Sequence, residues 1–98
     1  MITVQNIIDW ARPHRLGNGM KHLKIGNDNI EFSIVGGGDG TYGDFIDTFE
    51  VAIFNLDTDD FMTTFFFPDS DTVAVYVDGD GLVKMINRLN KKNDFQVR

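Results

Sequence analysis

The fold of this chain is decided by the stretch Met20-Lys-His-Leu-Lys-Ile-Gly-Asn-Asp-Asn-Ile-Glu-Phe-Ser-Ile-Val35. In its second half Ile30, Phe32 and Ile34 alternate with polar residues, and a period of two is typical of a strand with one buried face. Asn and Asp tolerate the positive φ of tight turns, so the Gly-Asn-Asp-Asn segment is expected to connect two antiparallel strands. The stretch therefore predicts a β-hairpin.

Three further extended runs follow, at residues 45–54, 61–67 and 72–77, and Val, Ile, Thr and Phe dominate them. The connections between these runs are short, acidic and turn-like, which makes successive strands antiparallel neighbours. In the last run the valines at 73, 75 and 77 are expected to share one face. The triplet Phe65–Phe67 breaks the alternation. It predicts either a central strand covered on both faces or a strand whose outer Phe meets a partner.

The two ends of the chain predict helices. Thr3 is a candidate N-cap for the first helix, which Pro13 ends, and Asp78 or Asp80 is a candidate N-cap for the second. Residues 93–98 are expected to form a loose tail. Apolar residues recur at i, i+3, i+4 and i+7 in both helices, namely Val4, Ile7, Ile8 and Ala11 in the first and Leu82, Met85, Ile86 and Leu89 in the second.

The predicted fold class is α+β, with one domain over residues 1–98. A chain of 98 residues is long enough for one modest core, and its nine Phe and 42% hydrophobic content predict a folded protein rather than a disordered acidic tail. We expect an antiparallel meander of four or five strands flanked by an N-terminal and a C-terminal helix, in the order α-β-β-β-β-β-α, with both helices on one face.

Charge is segregated along the chain. The 59 residues between Lys24 and Lys84 contain 13 carboxylates and no Lys, Arg or His, so they carry a formal charge of −13, while the two ends together carry +7. Such a middle segment favours a cationic partner, and a sequence pI near 4.6 makes direct binding to nucleic-acid phosphate an unfavoured function.

Composition argues against several other classes of function. The chain has no cysteine, which excludes disulfides, thiolate nucleophiles and Cys-based metal sites. No apolar run approaches the ~20 residues of a membrane span, and no secretory signal is visible, so we expect a cytoplasmic protein that does not bind a membrane. The two serines lie in a predicted strand and a predicted turn, which suits nucleophilic catalysis poorly, and the carboxylates are numerous enough for a paired-carboxylate hydrolase, but their number does not place any two of them together. We therefore predict no enzyme, no cofactor and no catalytic or metal-ligating residue.

Two motifs point to chemistry that their context does not support. Gly38–Gly43 matches G-x-G-x-x-G, yet a strand-like run follows it, and Asp39 and Asp44 would repel a phosphate. Asp78-Gly-Asp-Gly81 resembles the start of a calcium loop, but leucines stand where the later ligands belong. The Gly-rich loop, residues 36–44, is therefore expected to be either a flexible connection or a recognition loop.

The leading hypothesis is a small acidic protein-binding module that presents carboxylates to a basic protein surface. One version is a virus- or mobile-element-encoded inhibitor that occupies the basic groove of a nucleic-acid-handling protein. The alternatives are a homo-oligomeric structural module and a regulator that binds a small ligand or divalent cation at the Gly-rich loop. The candidate binding residues are Asp39, Tyr42, Asp44, Asp47, Glu50, Asp57, Asp59 and Asp60.

The meander also predicts where the acidic residues lie. Alternate turns fall at opposite ends of such a sheet. We expect Asp28 and the aspartates of 57–60 at one end, and the Gly-rich loop with Asp69 and Asp71 at the other.

Overall fold

The predicted hairpin forms the centre of an antiparallel sheet in the computed structural model, which describes all 98 residues. Strands β2 (Lys21–Gly26) and β3 (Ile30–Gly36) pair along their whole length. Their turn is closed by Asn27, whose Oδ1 accepts from the backbone N–H of Asn29 at 2.9 Å and of Ile30 at 3.0 Å. None of the turn residues has a positive φ, so a side chain rather than a left-handed backbone makes this turn.

Strand β4 (Thr48–Asn55) pairs with β3 and completes the three long central strands. Two short strands share each outer edge. Strands β1 (Arg12–Pro13) and β7 (Gln96–Val97) pair with β2, and strands β5 (Asp60–Phe61) and β6 (Ala74–Asp78) pair with β4. Much of both edges is therefore paired within the chain.

Both predicted helices are present, as α1 (Val4–Trp10) and α3 (Gly79–Leu89). Thr3 caps α1 in a capping box, because its hydroxyl accepts from the Asn6 backbone while the Asn6 side chain accepts from the Thr3 backbone. Asp78 precedes α3 but makes no side-chain capping bond. No helix of the chain has the length and apolar character needed to cross a bilayer.

The core lies between the two helices and one face of the sheet, which confirms the α+β architecture. Alternate residues of the strands contribute to it, together with the apolar stripes of α1 and α3. The core residues are Ile2, Ile7, Leu23, Ile25, Phe32, Ile34, Phe45, Phe49, Val51, Ile53, Ala74, Val77, Leu82 and Ile86. The intervening strand residues point to the opposite face, which we call the open face, and they include His22, Lys24, Glu31, Ser33, Val35 and Glu50.

The strand predicted over residues 61–67 is wrong beyond Phe61. Strand β5 ends there, and Thr63–Phe66 form a short helix, α2. Buried Thr63 is the reason, since its hydroxyl accepts from the Ile53 backbone N–H at 3.0 Å and donates to the Thr72 carbonyl at 2.7 Å. The Thr63 side chain thus provides the hydrogen-bond partner for β4 between β5 and β6, where a strand was expected.

Strand β6 departs from the predicted alternation of valines. Ala74 pairs with Val51 and Val77 pairs with Phe49, so three residue steps on β6 face two steps on β4. The extra residue is a β-bulge, accompanied by a φ of 51° at Tyr76. Because of the bulge Ala74 and Val77 both reach the core, while Val75 is exposed rather than buried beside Val77.

The predicted loose tail is also wrong. Residues 96–97 form β7, and the backbone N–H of Arg98 donates to the Lys24 carbonyl at 2.8 Å. Just before this strand Phe95 packs against the core, with its ring centroid 6.2 Å from that of Phe32. The C-terminal residues therefore cover an edge of the sheet rather than extending freely.

Candidate functional site

The carboxylates of the middle segment stay almost entirely unpaired in the folded chain. The single ion pair of the structure joins Arg98 Nη1 to Asp28 Oδ1 at 3.7 Å. The other 12 of the 13 carboxylates have no basic nitrogen within 4.0 Å. Folding therefore leaves these carboxylates without cationic partners, and the surface carries negative groups that the chain does not neutralise by ion pairing.

The strand register places the acidic residues at two ends of the sheet. Asn55 pairs with Ile30, and the backbone N–H of Leu56 donates to the Asn29 carbonyl at 2.8 Å. The turn that follows β4 therefore lies beside the β2–β3 turn, so the aspartates of 57–60 share an end with Asp28, as predicted. The Gly-rich loop connects the opposite ends of β3 and β4.

Asp69 and Asp71 do not lie at the Gly-rich end as expected. The neighbouring Thr72 carbonyl accepts from Thr63, whose hydroxyl also binds the backbone of Ile53 near the end of β4. The helical turn of α2 changes where the chain re-enters the sheet. Segment 69–71 consequently approaches β4 from the half that ends in the 57–60 turn.

The eight predicted binding residues do not form one surface. Seven residue steps of β4 separate its two ends, which corresponds to roughly 23 Å of extended chain. Glu50 lies within β4 on the open face, half-buried. The turn after β4 holds Asp57, Asp59 and Asp60, and the Gly-rich end holds Asp39, Tyr42, Asp44 and Asp47.

The carboxylate of Asp44 stabilises the turn at the end of its own loop. Its Oδ1 accepts from the backbone N–H groups of Ile46 at 2.8 Å, Asp47 at 2.9 Å and Thr48 at 3.0 Å. These bonds lower the pKa of Asp44 from 3.8 to about 2, and the bond from the Thr48 backbone has the largest effect. The turn so formed holds the buried ring of Phe45, whose φ is 58°.

We expect Asp44→Asn to lower the melting temperature in a pH-dependent way. The pKa of Asp44 is lower in the folded chain than its ordinary value of 3.8, so the ionised carboxylate stabilises the fold. This stabilisation is complete at a pH above 3.8 and is lost as the pH falls through about 2. Thermal unfolding of both proteins across that range measures the effect. The advantage of the wild type should shrink on acidification and vanish once Asp44 is protonated, whereas a constant difference would contradict the assignment.

Tyr42 likewise ties the Gly-rich loop to the sheet. Its carbonyl accepts from the backbone N–H of Tyr76 at 3.0 Å, and the two rings meet edge to face with centroids 5.9 Å apart. Further bonds join Asp39 N–H to the Asn18 carbonyl and Gly37 N–H to the Gly43 carbonyl. The loop is therefore held by specific contacts, in which all three of its candidate binding residues, Asp39, Tyr42 and Asp44, take part.

A different surface combines exposed aromatic rings with free carboxylates. We call it the aromatic–acidic patch, and it consists of Phe61 and Phe65 with Asp57, Asp59 and Asp60. Phe65 is 81% exposed and Phe61 is 47% exposed, which is unusual for side chains of this size. A cavity of about 650 Å³ opens there, lined by Asn55, Thr58, Asp60, Phe61, Met62, Phe65 and Phe66.

Local bonds fix the geometry of this patch. The side chain of Asn55 accepts from the backbone N–H of Asp57 at 3.0 Å and of Thr58 at 3.3 Å, which shapes the turn that displays the aspartates. Phe61 pairs across the strands with Phe54, and their rings lie 4.6 Å apart. One wall of the cavity is therefore supported by the sheet.

Helix α2 supplies the other wall. Phe66 and Phe67 pack against the core, and Met62 joins them there, whereas Phe65 points into solvent. Sequence reasoning identified the three aspartates but missed Phe61 and Phe65. The signal was present in the Phe65–Phe67 triplet, whose broken alternation predicted either a central strand covered on both faces or a strand whose outer Phe meets a partner.

No group of three or more His, Asp or Glu side chains is placed to share a metal ion in the structure. The sequence matches no family model, and no curated protein or solved structure is significantly similar to it.

Proposed function

We propose that this chain is a small acidic protein-binding module whose contact surface is the aromatic–acidic patch. The observation that carries the proposal is Phe65, which is 81% exposed beside aspartates that no cation of the chain pairs. Burying a Phe side chain stabilises by about 1.5–3 kcal/mol, and aromatic anchors surrounded by polar residues dominate many protein interfaces. A partner that covers Phe65 would recover this free energy.

Charge complementarity selects the partner, which is a basic protein segment with apolar side chains. Lys and Arg combine a cationic group with an apolar stem, so they can lie along the Phe rings while their charges approach Asp57, Asp59 and Asp60. Opposite charges across the interface accelerate association and make it sensitive to salt. The cavity of about 650 Å³ suits a few side chains of one segment.

A narrower version of the proposal is an inhibitor, encoded by a virus or a mobile element, that fills the basic groove of a nucleic-acid-handling protein. It is supported by the segregation of charge, with 13 carboxylates in a segment that has no basic residue. For a partner of this kind, duplex DNA should compete with the chain for the same groove, and the competition should weaken as salt rises.

Fluorescence anisotropy with two labelled peptides tests the proposal. One peptide alternates Lys and Leu, and the other alternates Lys and Ser, so they share their charge and differ in apolar surface. The Lys–Leu peptide should bind about tenfold more tightly, and Phe65→Ala should remove most of this preference. The triple variant Asp57→Asn/Asp59→Asn/Asp60→Asn should weaken both complexes and flatten their salt dependence.

A matched control keeps the same change of net charge. The triple variant Asp39→Asn/Asp47→Asn/Asp80→Asn removes three exposed carboxylates at the Gly-rich end and at the adjoining start of α3, and it should bind nearly as the wild type does. Equal weakening by both triple variants would show that net charge alone attracts the peptides and would contradict the proposed site.

Self-association is the competing use of the same patch. Analytical ultracentrifugation of the wild type and Phe65→Ala decides between them. A wild-type dimer that Phe65→Ala converts to a monomer would show that a second copy, rather than a basic partner, covers the aromatic rings.

A further inference from the structure

A second pocket lies at the opposite edge of the sheet, on the open face, and its lining is cationic. Its volume is about 390 Å³, and it is lined by Pro13, His14, Arg15, His22, Lys24, Ser33 and Val35. No carboxylate is among these residues, although the whole chain has a net charge of −6. Both histidines of the chain are present in this one place.

The backbone fixes the walls of this pocket. Strand β1 places Arg12 opposite His22, and β3 places Ser33 opposite Lys24. The connection after β1 is closed by the His14 backbone N–H, which donates to the Met20 carbonyl at 2.8 Å.

The two imidazole rings are oriented by their own contacts. The Leu16 backbone N–H donates to His14 Nδ1 at 3.1 Å, which leaves Nε2 as the donor of that ring. The two rings meet edge to face at 5.3 Å.

The charges around the pocket are uncompensated. Arg12, Arg15 and Lys24 have no carboxylate within 4.0 Å. Burial lowers the pKa of His22, and the neighbouring charges of His14, Lys24 and Arg12 lower it further. In the cross-strand row of His22 the nearest acidic side chain is Glu50, two strands away and therefore roughly 10 Å distant, while Glu31 lies on the same face diagonally across from Lys24 without forming an ion pair with it.

We propose that this pocket binds a multiply charged anion, with a phosphate group as the ligand class. Arg15 and Lys24 supply the charge, and Arg and Lys are the side chains that most often bind phosphate oxygens. Ser33 adds a hydroxyl donor from the floor of the sheet. A volume of about 390 Å³ exceeds that of inorganic phosphate and is within the range of small-ligand sites, so the proposed ligand class includes small phosphate monoesters as well as inorganic phosphate.

This inference is independent of the proposed protein-binding function. The pocket adjoins β1 and β2, whereas the aromatic–acidic patch adjoins β5 at the other edge of the sheet. Variants at one site can therefore be tested without touching the other.

The two histidines allow a site-specific NMR test with inorganic phosphate. Titration at pH 7 up to about 10 mM phosphate should shift the imidazole resonances of His14 and His22 in a saturable way, whereas sodium chloride of equal ionic strength should not. In sulfate, whose charge is constant over this pH range, the pKa of His22 should rise because a nearby anion favours the imidazolium.

Matched variants locate the site. Lys24→Ala and Arg15→Ala should each weaken phosphate binding about tenfold, whereas Lys84→Ala, an exposed change of equal charge on α3, should have no effect. Unchanged histidine resonances, shifts that sodium chloride reproduces, or equal weakening by Lys84→Ala would each overturn the proposal.

Discussion

Phe49→Ala is expected to lower the free energy of unfolding by about 3–5 kcal/mol. The side chain is completely buried, and its ring meets that of Phe45 edge to face at 5.0 Å. A Cβ added to Gly79 would lie 3.2 Å both from Phe49 Cε2 and from Val4 Cγ2, so α1 and α3 meet tightly beside this ring. Because α1 and α3 are packed this closely, they cannot move into the cavity that truncation leaves, and the full loss in the free energy of unfolding is expected.

Urea unfolding of Phe49→Ala and Phe65→Ala compares a core phenylalanine with an exposed one. Phe65→Ala should change the free energy of unfolding by less than about 0.5 kcal/mol, because little of its ring leaves water on folding. A large loss for Phe65→Ala would mean that this side chain serves the fold, and it would remove the main support for the aromatic–acidic patch.

Gly26→Ala is expected to destabilise the chain by about 3 kcal/mol or to prevent folding. The added Cβ would overlap the Ile30 carbonyl oxygen and lie 2.8 Å from Glu31 Cα. Those atoms belong to the backbone and cannot give way, since Gly26 pairs with Glu31 and the Asn27 N–H donates to the Ile30 carbonyl at 3.0 Å. The hairpin that organises the sheet would have to open.

Gly81→Ala is the matched control for this substitution. No heavy atom lies within 4 Å of a Cβ at that exposed helical position, so alanine should be neutral or stabilising by up to about 1 kcal/mol. Circular dichroism during urea unfolding measures both variants. If Gly26→Ala were as stable as Gly81→Ala, the close approach of the two strands at this turn would be contradicted.

The regular helices and strands could be predicted because the apolar residues that repeat along the sequence are also the residues that face the core. Ile30, Phe32 and Ile34 alternate and face the core, and the stripe containing Leu82 and Ile86 packs α3 on the sheet. Residues 61–67 could not be predicted in this way. Their Phe and Thr content is typical of a strand, but the bonds of the Thr63 hydroxyl to two distant backbone segments make the chain turn into α2.

The aromatic–acidic patch and the histidine pocket could not be predicted in full either, because the tertiary structure brings their residues together. The three aspartates of the patch were visible in the sequence, but the exposure of Phe65 follows from the helical turn that carries it. His14 and His22 have no informative spacing in the sequence, and only the pairing of β1 with β2 brings their rings together. The bulge at Tyr76 gave no local signal, because it depends on register with β4.

Amide NMR mapping of the Lys–Leu peptide on the wild-type chain tests the central claim most directly. The proposed function predicts that chemical-shift changes concentrate in residues 55–66, which surround the cavity of the aromatic–acidic patch. The same map should lose its largest changes in Phe65→Ala. Changes concentrated in the Gly-rich loop, or spread evenly over all exposed carboxylates, would contradict the claim that this patch is the binding surface.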